Sequence, residues 1–468
     1  MSEHSYPRFR RIHFVGIGGI GMSGIAELLA NLGYAVSGSD LNETAVTRRL
    51  VEHGATVFKG HDASQVEGTD VVVVSSAVTD ANPEVRRARE LAIPVIPRAE
   101  MLAELMRLKY GIAVAGSHGK TTTTSLVAAV VHGAGLDPTV VVGGRLAALG
   151  TNALLGHGRF LVCEADESDG SFLKLSPTIA VVTNVDLEHL EAYADDVAQL
   201  ETAFVDFCNA VPFYGAAIVC QDDPRLRALL PRIERRVVTY GESAGAELSL
   251  RDLTIADGKT CFTAFHRGDE LGRIELGSPG RHFALNALAA LAVALELDLP
   301  FEEAARSLAG FQGVDRRLSH RGEVDGVTVI DDYGHHPTEI AVTLEALRNG
   351  HSPRRLIAIF QPHRYSRVQR LLEDFGGCFH HADHVITCPV HAAGEAPIEG
   401  VDSEALAESL GRHGHRDVVL AESVDDAVRQ ALELASEGDL VVTLGAGDVT
   451  RAADAIVAGL KDRAGESS

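Results

Sequence analysis

A glycine-rich segment ending in Gly-Lys-Thr has the residue types that bind the phosphates of a nucleotide. It follows an apolar run at 112–115, precedes a helical pattern at 123–132, and reads Gly116-Ser117-His118-Gly119-Lys120-Thr121-Thr122. In such a loop backbone N–H groups surround the phosphates, the lysine reaches the β and γ oxygens, and the threonine hydroxyl binds Mg²⁺. Val114 stands where the commoner GxxxxGKT pattern has its first glycine. The segment still predicts an ATP-binding loop.

Acidic residues follow two strand-like runs downstream of this loop. The run at 160–163 leads into Glu164-Ala165-Asp166-Glu167-Ser168-Asp169, and the run at 179–183 leads into Asn184-Val185-Asp186-Leu187-Glu188-His189. Acids at the carboxyl end of a strand beside a phosphate loop are where Mg²⁺ is held. The alternative is that these carboxylates are ordinary solvated loop residues.

A second glycine loop lies near the start of the chain and reads Gly16-Ile17-Gly18-Gly19-Ile20-Gly21. It is a GxGxxG between a strand pattern at 12–15 and a helical pattern that ends near Ala30. Backbone N–H groups at such a helix start bind a diphosphate. Asp40 lies 19 residues past Gly21, which is the position of a carboxylate that accepts a ribose hydroxyl. The motif indicates a diphosphate-bearing nucleotide and leaves open whether that is NAD or another.

Two polar clusters follow strand patterns in the last third of the chain. They are Asp331-Asp332-Tyr333-Gly334-His335-His336-Pro337 and Phe360-Gln361-Pro362-His363-Arg364-Tyr365-Ser366-Arg367. Loops at the carboxyl ends of strands are where α/β folds bind ligands, and arginine binds carboxylate or phosphate through paired hydrogen bonds. Either cluster alone would be read as surface charge. Together they predict a site for an anionic substrate.

Short β-branched runs alternate with helical stretches along the chain, which predicts an α/β fold. The pattern restarts twice, which predicts three domains at 1–108, 109–320 and 321–468, with linkers near 107–110 and 313–326. The net charge of −23 argues against nucleic acid as a partner. Because no run of 18 apolar residues occurs, we expect no membrane insertion. Six cysteines without paired spacing suggest free thiols and a cytoplasmic protein.

The combined motifs resemble the Mur ligases of peptidoglycan synthesis. The resemblance runs in order from about residue 11 to about residue 450 and rests on GIGGIGM, GSHGKTTTT, EADESD, TNVDLEHL, DDYGHHPTE and FQPHRYSR. It implies a Rossmann-like N-terminal domain for a UDP-sugar, a central ATPase domain of the P-loop type and a Rossmann-like C-terminal domain. It also implies that ATP, UDP-N-acetylmuramate and L-alanine are the substrates. Mg²⁺ would be the cofactor, with two ions bound.

The same resemblance assigns site residues. The UDP-sugar would contact Gly16, Gly18, Gly19, Gly21, Asp40 and Ser75. ATP would contact Gly116, Ser117, His118, Gly119, Lys120, Thr121, Thr122, Asn286 at the adenine and Arg317 at the γ-phosphate. Thr121, Glu164 and His189 would bind Mg²⁺, with Glu164 bridging both ions. Lys120, His335, Arg364 and Arg367 would be catalytic, the last three meeting the muramoyl carboxylate or the incoming alanine.

Three alternatives stay open. An NAD-dependent oxidoreductase would explain the first glycine loop but would leave the Gly-Lys-Thr loop without a role. A non-enzymatic ATP switch would leave both C-terminal clusters unexplained. Within the family, the murein-peptide ligase typically has Phe-Ala where this chain has Tyr333-Gly334. The base for the alanine amine is either His335 or His336.

Overall fold

A computed structural model describes residues 10–75, 77–146 and 151–466. The described residues form three β-sheets flanked by helices, which confirms the predicted three-domain α/β fold. The chain divides into two compact units. Unit 1 comprises Met1–Arg251, Thr263–Ile274 and Leu285–Phe311; unit 2 comprises Asp252–Phe262, Glu275–Ala284 and Gln312–Ser468. None of the described helices is long and apolar enough to cross a bilayer.

The first sheet has five parallel strands in the order β3-β2-β1-β4-β5. Parallel pairing requires a crossover after each strand, and helices supply most of these connections. The elements are β1 (Arg11–Val15), α1 (Ile20–Asn31), β2 (Ala35–Asp40), α2 (Ala45–Glu52), β3 (Thr56–Lys59), β4 (Val71–Val74), α3 (Pro83–Glu90), β5 (Val95–Pro97) and α4 (Arg98–Met106). The chain order changes direction at β1, so the β1–α1 turn lies where such sheets bind ligands.

The second sheet has ten strands in the order β15-β14-β13-β12-β11-β10-β6-β9-β7-β8. Its elements are β6 (Tyr110–Ala115), α5 (Lys120–Gly133), β7 (Thr139–Leu146), β8 (Thr151–Leu154), β9 (Phe160–Glu164), β10 (Ile179–Val182), α6 (Val197–Asn209), β11 (Ala216–Cys220), α7 (Pro224–Leu229), β12 (Val237–Gly241), β13 (Leu248–Ala256), β14 (Lys259–His266), β15 (Asp269–Leu276), α8 (Arg281–Glu296) and α9 (Phe301–Ala309). Strand β6 pairs in parallel with both β9 and β10. The loops that leave these three strands therefore start at one edge of the sheet.

The third sheet has six strands in the order β16-β17-β21-β18-β19-β20. Its elements are β16 (Ser319–Val324), β17 (Val327–Asp332), α10 (Pro337–His351), β18 (Leu356–Phe360), α11 (Tyr365–Gly377), β19 (His384–Thr387), α12 (Ser403–Arg412), β20 (Val418–Leu420), α13 (Val424–Leu434), β21 (Leu440–Leu444) and α14 (Thr450–Glu466). Within β18, Ile357 and Ile359 pack into one core cluster, whereas Leu356, Ala358 and Phe360 pack into another. Both faces of this sheet are buried, which explains its continuous apolar strands.

Several predicted elements are confirmed, and one prediction is wrong. The strand patterns at 12–15, 112–115 and 160–163 lie within β1, β6 and β9, the pattern at 179–183 contains β10, and the helical pattern at 123–132 lies within α5. The linker predicted at 313–326 instead contains β16, which pairs antiparallel with β17 at the edge of the sheet. Its sequence, SHRGEV, is polar because an edge strand is only partly covered, so it lacks the apolar pattern of a buried strand.

Candidate active site

The Gly-Lys-Thr loop joins β6 to α5 and depends on two glycines. Gly116 has φ of +133°, and a Cβ atom there would collide with Thr183 Oγ1. Gly119 precedes the first residue of α5 with φ of +78°, and a Cβ atom there would lie 2.9 Å from Asn286 Oδ1. Residues with side chains rarely adopt these conformations. The structure thus brings Asn286, which the resemblance places at the adenine, beside the loop.

The end of β10 fixes the conformation of this loop. Thr183 Oγ1 and Asn184 Nδ2 both donate to the His118 carbonyl, at 2.7 and 3.1 Å. Asn184 also accepts from the His118 N–H through Oδ1 at 2.8 Å, and its carbonyl accepts from Ser117 N at 3.1 Å. Four hydrogen bonds hold the loop to the neighbouring strand. No role was predicted for Thr183 or Asn184, although both lie in the TNVDLEHL motif.

Lys120 lies inside the loop, surrounded by acceptors. Its ammonium donates to the carbonyls of Gly116 and Ser117 at 2.6 and 3.1 Å and to Glu167 Oε1 at 2.9 Å. Burial disfavours the charged ammonium, but attraction to Glu167 and Glu164 outweighs it and raises the pKa of Lys120. Lys120 therefore stays charged at neutral pH. A charged, pre-positioned ammonium is what the β and γ oxygens of a nucleotide require.

Two oxygen ligands suitable for Mg²⁺ meet at the start of α5. Thr121 Oγ1 donates to Glu164 Oε2 at 2.9 Å, so the hydroxyl and carboxylate predicted as metal ligands are in contact. Mg²⁺ prefers such hard oxygen donors. His189, the third predicted ligand, has φ of +54°, and its ring nitrogens lie 3.6 Å from Glu188 and 3.8 Å from Glu191.

A further cluster of ligand-type groups lies beside the loop in unit 1. His118 Nε2 is 3.0 Å from Asp186 Oδ2 and 3.4 Å from Glu188 Oε1. The two acids belong to the segment after β10 that was predicted to hold Mg²⁺, whereas His118 was predicted only as part of the ATP-binding loop. The position of the acids directly after β10 was the signal, because the loops after β6 and β10 start at the same sheet edge.

The first glycine loop joins β1 to α1, and backbone N–H groups of the loop hydrogen-bond to the end of β2. The N–H groups of Gly16 and Ile17 both donate to the Ser39 carbonyl, at 2.8 and 2.9 Å. Gly18 N donates to Asp40 Oδ2 at 2.9 Å, so the carboxylate predicted to accept a ribose hydroxyl also holds the loop. Ser75, at the end of β4, has its hydroxyl 3.9 Å from the position of a Cβ atom on Gly16. The structure therefore brings Asp40 and Ser75 to the predicted diphosphate loop.

Arg98 is a cation at this loop that the sequence analysis missed. A Cβ atom on Gly21, in the first turn of α1, would lie 2.5 Å from Arg98 Nη1. The guanidinium also lies 3.6 Å from Asp166 Oδ2, in the segment after β9. Arg98 thus stands between the first glycine loop and the acidic segment. It begins α4, far from either motif in sequence, so no local pattern identified it.

In unit 2, the two acids of the first C-terminal cluster have structural roles. Asp331 is fully buried and accepts hydrogen bonds from Thr443 at 2.6 Å, Thr450 at 2.8 Å and Arg321 at 3.0 Å. Asp332 accepts from the backbone N–H groups of Leu318 and Gly334. These carboxylates are committed to the protein, so the substrate role predicted for the cluster falls to its other residues.

Those other residues form a cationic and aromatic group in unit 2. Arg364 precedes the first residue of α11 with φ of +68°, and Arg367 Nη1 is 3.4 Å from His363 Nδ1. The ring centroids of His335 and His363 are 6.0 Å apart. Arg317 lies over the ring of Tyr333 at 5.2 Å and 3.6 Å from Glu339. The structure therefore brings His335, Arg364 and Arg367 into one neighbourhood, as predicted from their strand ends.

Burial and nearby cations keep two of these imidazoles neutral. Burial lowers the pKa of His335 to about 4, and Arg367 and Arg317 contribute in the same direction against Glu339. Burial also lowers the pKa of His363 to about 4, and His335, Arg367 and Arg364 contribute in the same direction. Both imidazoles are therefore uncharged at pH 7. The other predicted base, His336, caps α10 and accepts from Thr338 N through Nδ1 at 3.4 Å.

With this geometry established, comparison with known proteins identifies the class. Three family models match consecutive parts of the chain: "Mur ligase family, catalytic domain" at residues 11–110, "Mur ligase middle domain" at 114–294 and "Mur ligase, glutamate ligase domain" at 316–447. Among curated relatives, the UDP-N-acetylmuramate–L-alanine ligase of Geobacter sp. (strain M21) is 55% identical over 456 residues, 97% of this chain and 99% of that protein. The chain therefore belongs to the Mur ligase family.

Further relatives agree with that assignment. The protein of the same name from Geobacter sulfurreducens is 53% identical over 457 residues, covering 98% of this chain and 99% of that protein. The solved structure of UDP-N-acetylmuramate-alanine ligase MurC from Thermotoga maritima has a TM-score of 0.82 at 29% identity, covering 98% and 100% of the two chains. The murein peptide ligase of Psychrobacter arcticus shares the fold, with a TM-score of 0.69 at 24% identity over 96% and 98% of the chains.

The contact between Gly116 and Thr183 generates a prediction. Replacing Gly116 with alanine should displace the loop from β10, because the new methyl group would collide with the threonine hydroxyl. We expect the Gly116→Ala variant to lose the rise in melting temperature that a non-hydrolysable ATP analogue gives the unsubstituted protein.

The matched control is Gly135→Ala. Gly135 also has positive φ, at +71°, but has open space where a Cβ atom would be. Alanine at this positive φ should cost about 1–2 kcal/mol of stability. The variant should nevertheless keep the rise in melting temperature that the nucleotide analogue produces. An unchanged shift in Gly116→Ala would contradict the assignment of this loop to phosphate binding.

Proposed function

We propose that this chain is an ATP-dependent ligase that joins L-alanine to the lactyl carboxylate of UDP-N-acetylmuramate in the synthesis of peptidoglycan precursors, releasing ADP and phosphate. The observation that carries the proposal is the loop around Lys120, with the Thr121–Glu164 oxygen pair at its end. The names of relatives that are 53–55% identical over almost the whole chain support the particular substrates.

The chemistry requires an activated carboxylate. A carboxylate is a poor electrophile, so one of its oxygens first attacks the γ-phosphorus of ATP, which gives an acyl phosphate and ADP. The alanine amine then attacks the acyl carbon, and phosphate leaves as the amide forms. Lys120 supplies positive charge beside the transferred phosphoryl group, and the loop aligns it. Both effects depend on the burial and fixed position of that ammonium.

The residues at the start of α5 fit Mg²⁺. Thr121 and Glu164 would hold it through their oxygens, and we propose His189 as a further ligand of a second ion. Bound Mg²⁺ neutralises charge on the phosphates and polarises the γ-phosphoryl group. Glu164 lies directly at the end of β9, where a short, well-packed strand fixes its position.

We propose that the arginines of unit 2 bind the carboxylate of the alanine or the muramoyl group. Arg364 directly precedes α11 and Arg367 lies in its first turn, where helix N–H groups add to the attraction for an anion. Arg317 is proposed to reach the γ-phosphate. The alanine ammonium must lose a proton before it attacks, and we propose His335 as the base because it lies in the same group as His363 and Arg367.

The first glycine loop is proposed to bind the diphosphate of the UDP-sugar. Gly16, Gly18, Gly19 and Gly21 have no side chains to separate the backbone from a ligand, and Asp40 and Ser75 lie beside the loop. Arg98 adds a positive charge at the same helix start. A cytoplasmic location is proposed because each of the six cysteines, all within the described residues, is a free thiol.

A substrate panel tests this function. With ATP and UDP-N-acetylmuramate present, we expect phosphate release to require L-alanine and to be negligible with other amino acids or with the peptide L-alanyl-γ-D-glutamyl-meso-diaminopimelate. Lys120→Ala is the matched inactive control and should lower the rate by a factor on the order of 10²–10⁴ while folding normally. Preference for the peptide would assign the murein-peptide reaction instead.

A second prediction concerns the metal ligand. Glu164→Gln keeps the shape of the side chain but removes the charge that balances the cation, so a much higher Mg²⁺ concentration should be needed for half-maximal activity. Asp169→Asn, at an exposed acid in the same segment, is the control and should leave the titration unchanged. Identical Mg²⁺ titrations for the two variants would show that Glu164 is not a ligand.

A further inference from the structure

Glu167 is a buried acid in the segment after β9 of the second sheet, and the proposed function gives it no contact with substrate or metal. It lies three residues beyond the end of β9, and only 3% of its surface is exposed. Its Oε1 accepts a hydrogen bond from Lys120 Nζ at 2.9 Å, and its Oε2 lies 2.8 Å from the same nitrogen. Within the described residues, Oε2 accepts no aligned hydrogen bond. The carboxylate is therefore directed at one cation.

The ammonium of Lys120 already uses its full capacity to donate. It has three hydrogens and no acceptor function. The Gly116 carbonyl, the Ser117 carbonyl and Glu167 take up these three donors. A phosphate oxygen can receive a hydrogen bond from Lys120 only if one of these contacts is released. Of the three acceptors, Glu167 is the only anion, so it is the direct competitor of an anionic phosphate.

The surroundings of Glu167 make that competition sensitive to charge. Lys120 attracts its carboxylate, Asp166 repels it, and the hydroxyl of Tyr193 is bonded to the Glu167 backbone carbonyl rather than to the carboxylate. Burial raises the pKa of Glu167 to about 7 against the attraction of Lys120. A buried carboxylate that loses its cation is costly, and protonation removes that cost.

We infer that Glu167 is a positioning residue that holds Lys120 in the nucleotide-free loop and yields it to the phosphates when ATP binds. The inference rests on the proposed function, because it requires ATP in this loop. On binding, Lys120 Nζ exchanges its hydrogen bond to Glu167 for one to a phosphate oxygen, and a proton from solvent joins the Glu167 carboxylate. Glu167 thereby keeps the empty loop ordered and lowers its affinity for nucleotide.

The test compares Glu167→Gln with Asp169→Asn. Both remove one negative charge from the same segment, but Asp169 is exposed, and its carboxylate accepts from the Ser171 N–H. We expect Glu167→Gln to bind a non-hydrolysable ATP analogue about tenfold more tightly at pH 7, the scale of one charge-assisted hydrogen bond. Asp169→Asn should bind as the unsubstituted protein does. Equal or weaker binding by a folded Glu167→Gln protein would overturn the inference.

A measurement on the unsubstituted protein gives independent evidence. Calorimetric titration with the analogue in two buffers of different ionisation enthalpy should show uptake of a proton at pH 7, and affinity should fall as pH rises through 7. Both effects should vanish in Glu167→Gln. Absence of proton uptake in the unsubstituted protein would overturn the inference even if the variant fails to fold. Failure of the unsubstituted protein to bind the analogue would instead overturn the proposed function itself.

Discussion

The central constraint on this molecule is the burial of one ammonium group beneath the Gly-Lys-Thr loop. A buried cation is tolerated only when acceptors surround it, and Lys120 finds two backbone carbonyls and a carboxylate. Those carbonyls point inward because Gly116 adopts a conformation that a side chain would prevent. The loop keeps that shape because Thr183 and Asn184 bond it to the adjacent strand. The position of the Lys120 ammonium thus depends on the backbone conformation of Gly116 and on the hydrogen bonds from Thr183 and Asn184.

Each of the three sheets places polar groups on a loop at the carboxyl ends of its strands, and the groups differ between the sheets. In each, a loop after a parallel strand leads into a helix and presents polar groups at the carboxyl edge. The first sheet presents glycines with Asp40, the second presents Lys120 and Glu164, and the third presents Arg364 and Arg367. A ligase that joins a carboxylate to an amine with cleavage of ATP must bind three anionic or zwitterionic substrates, and the proposed function assigns one of these loops to each of them.

Sequence reasoning succeeded where the signal was local. The glycine loops and the strand ends that carry polar residues were predicted because each depends on a short run of residues. It failed for β16, whose polar edge sequence looked like a linker, and for Asp331, whose partners Thr443 and Thr450 lie more than a hundred residues away. Arg98 was not predicted, and Glu167 was predicted only as one acid of the segment after β9. Their roles depend on tertiary contacts with Gly21 and Lys120 that no spacing reveals.

The most direct test measures whether an oxygen atom passes from the lactyl carboxylate to the released phosphate. If the loop at Lys120 transfers the γ-phosphoryl group to a carboxylate, one carboxylate oxygen must leave with the phosphate. UDP-N-acetylmuramate labelled with ¹⁸O in the lactyl carboxylate is incubated with ATP, L-alanine and the protein, and the released phosphate is analysed by mass spectrometry. We predict that the released phosphate carries ¹⁸O transferred from the carboxylate. Phosphate without the label, formed together with the amide product, would contradict the account.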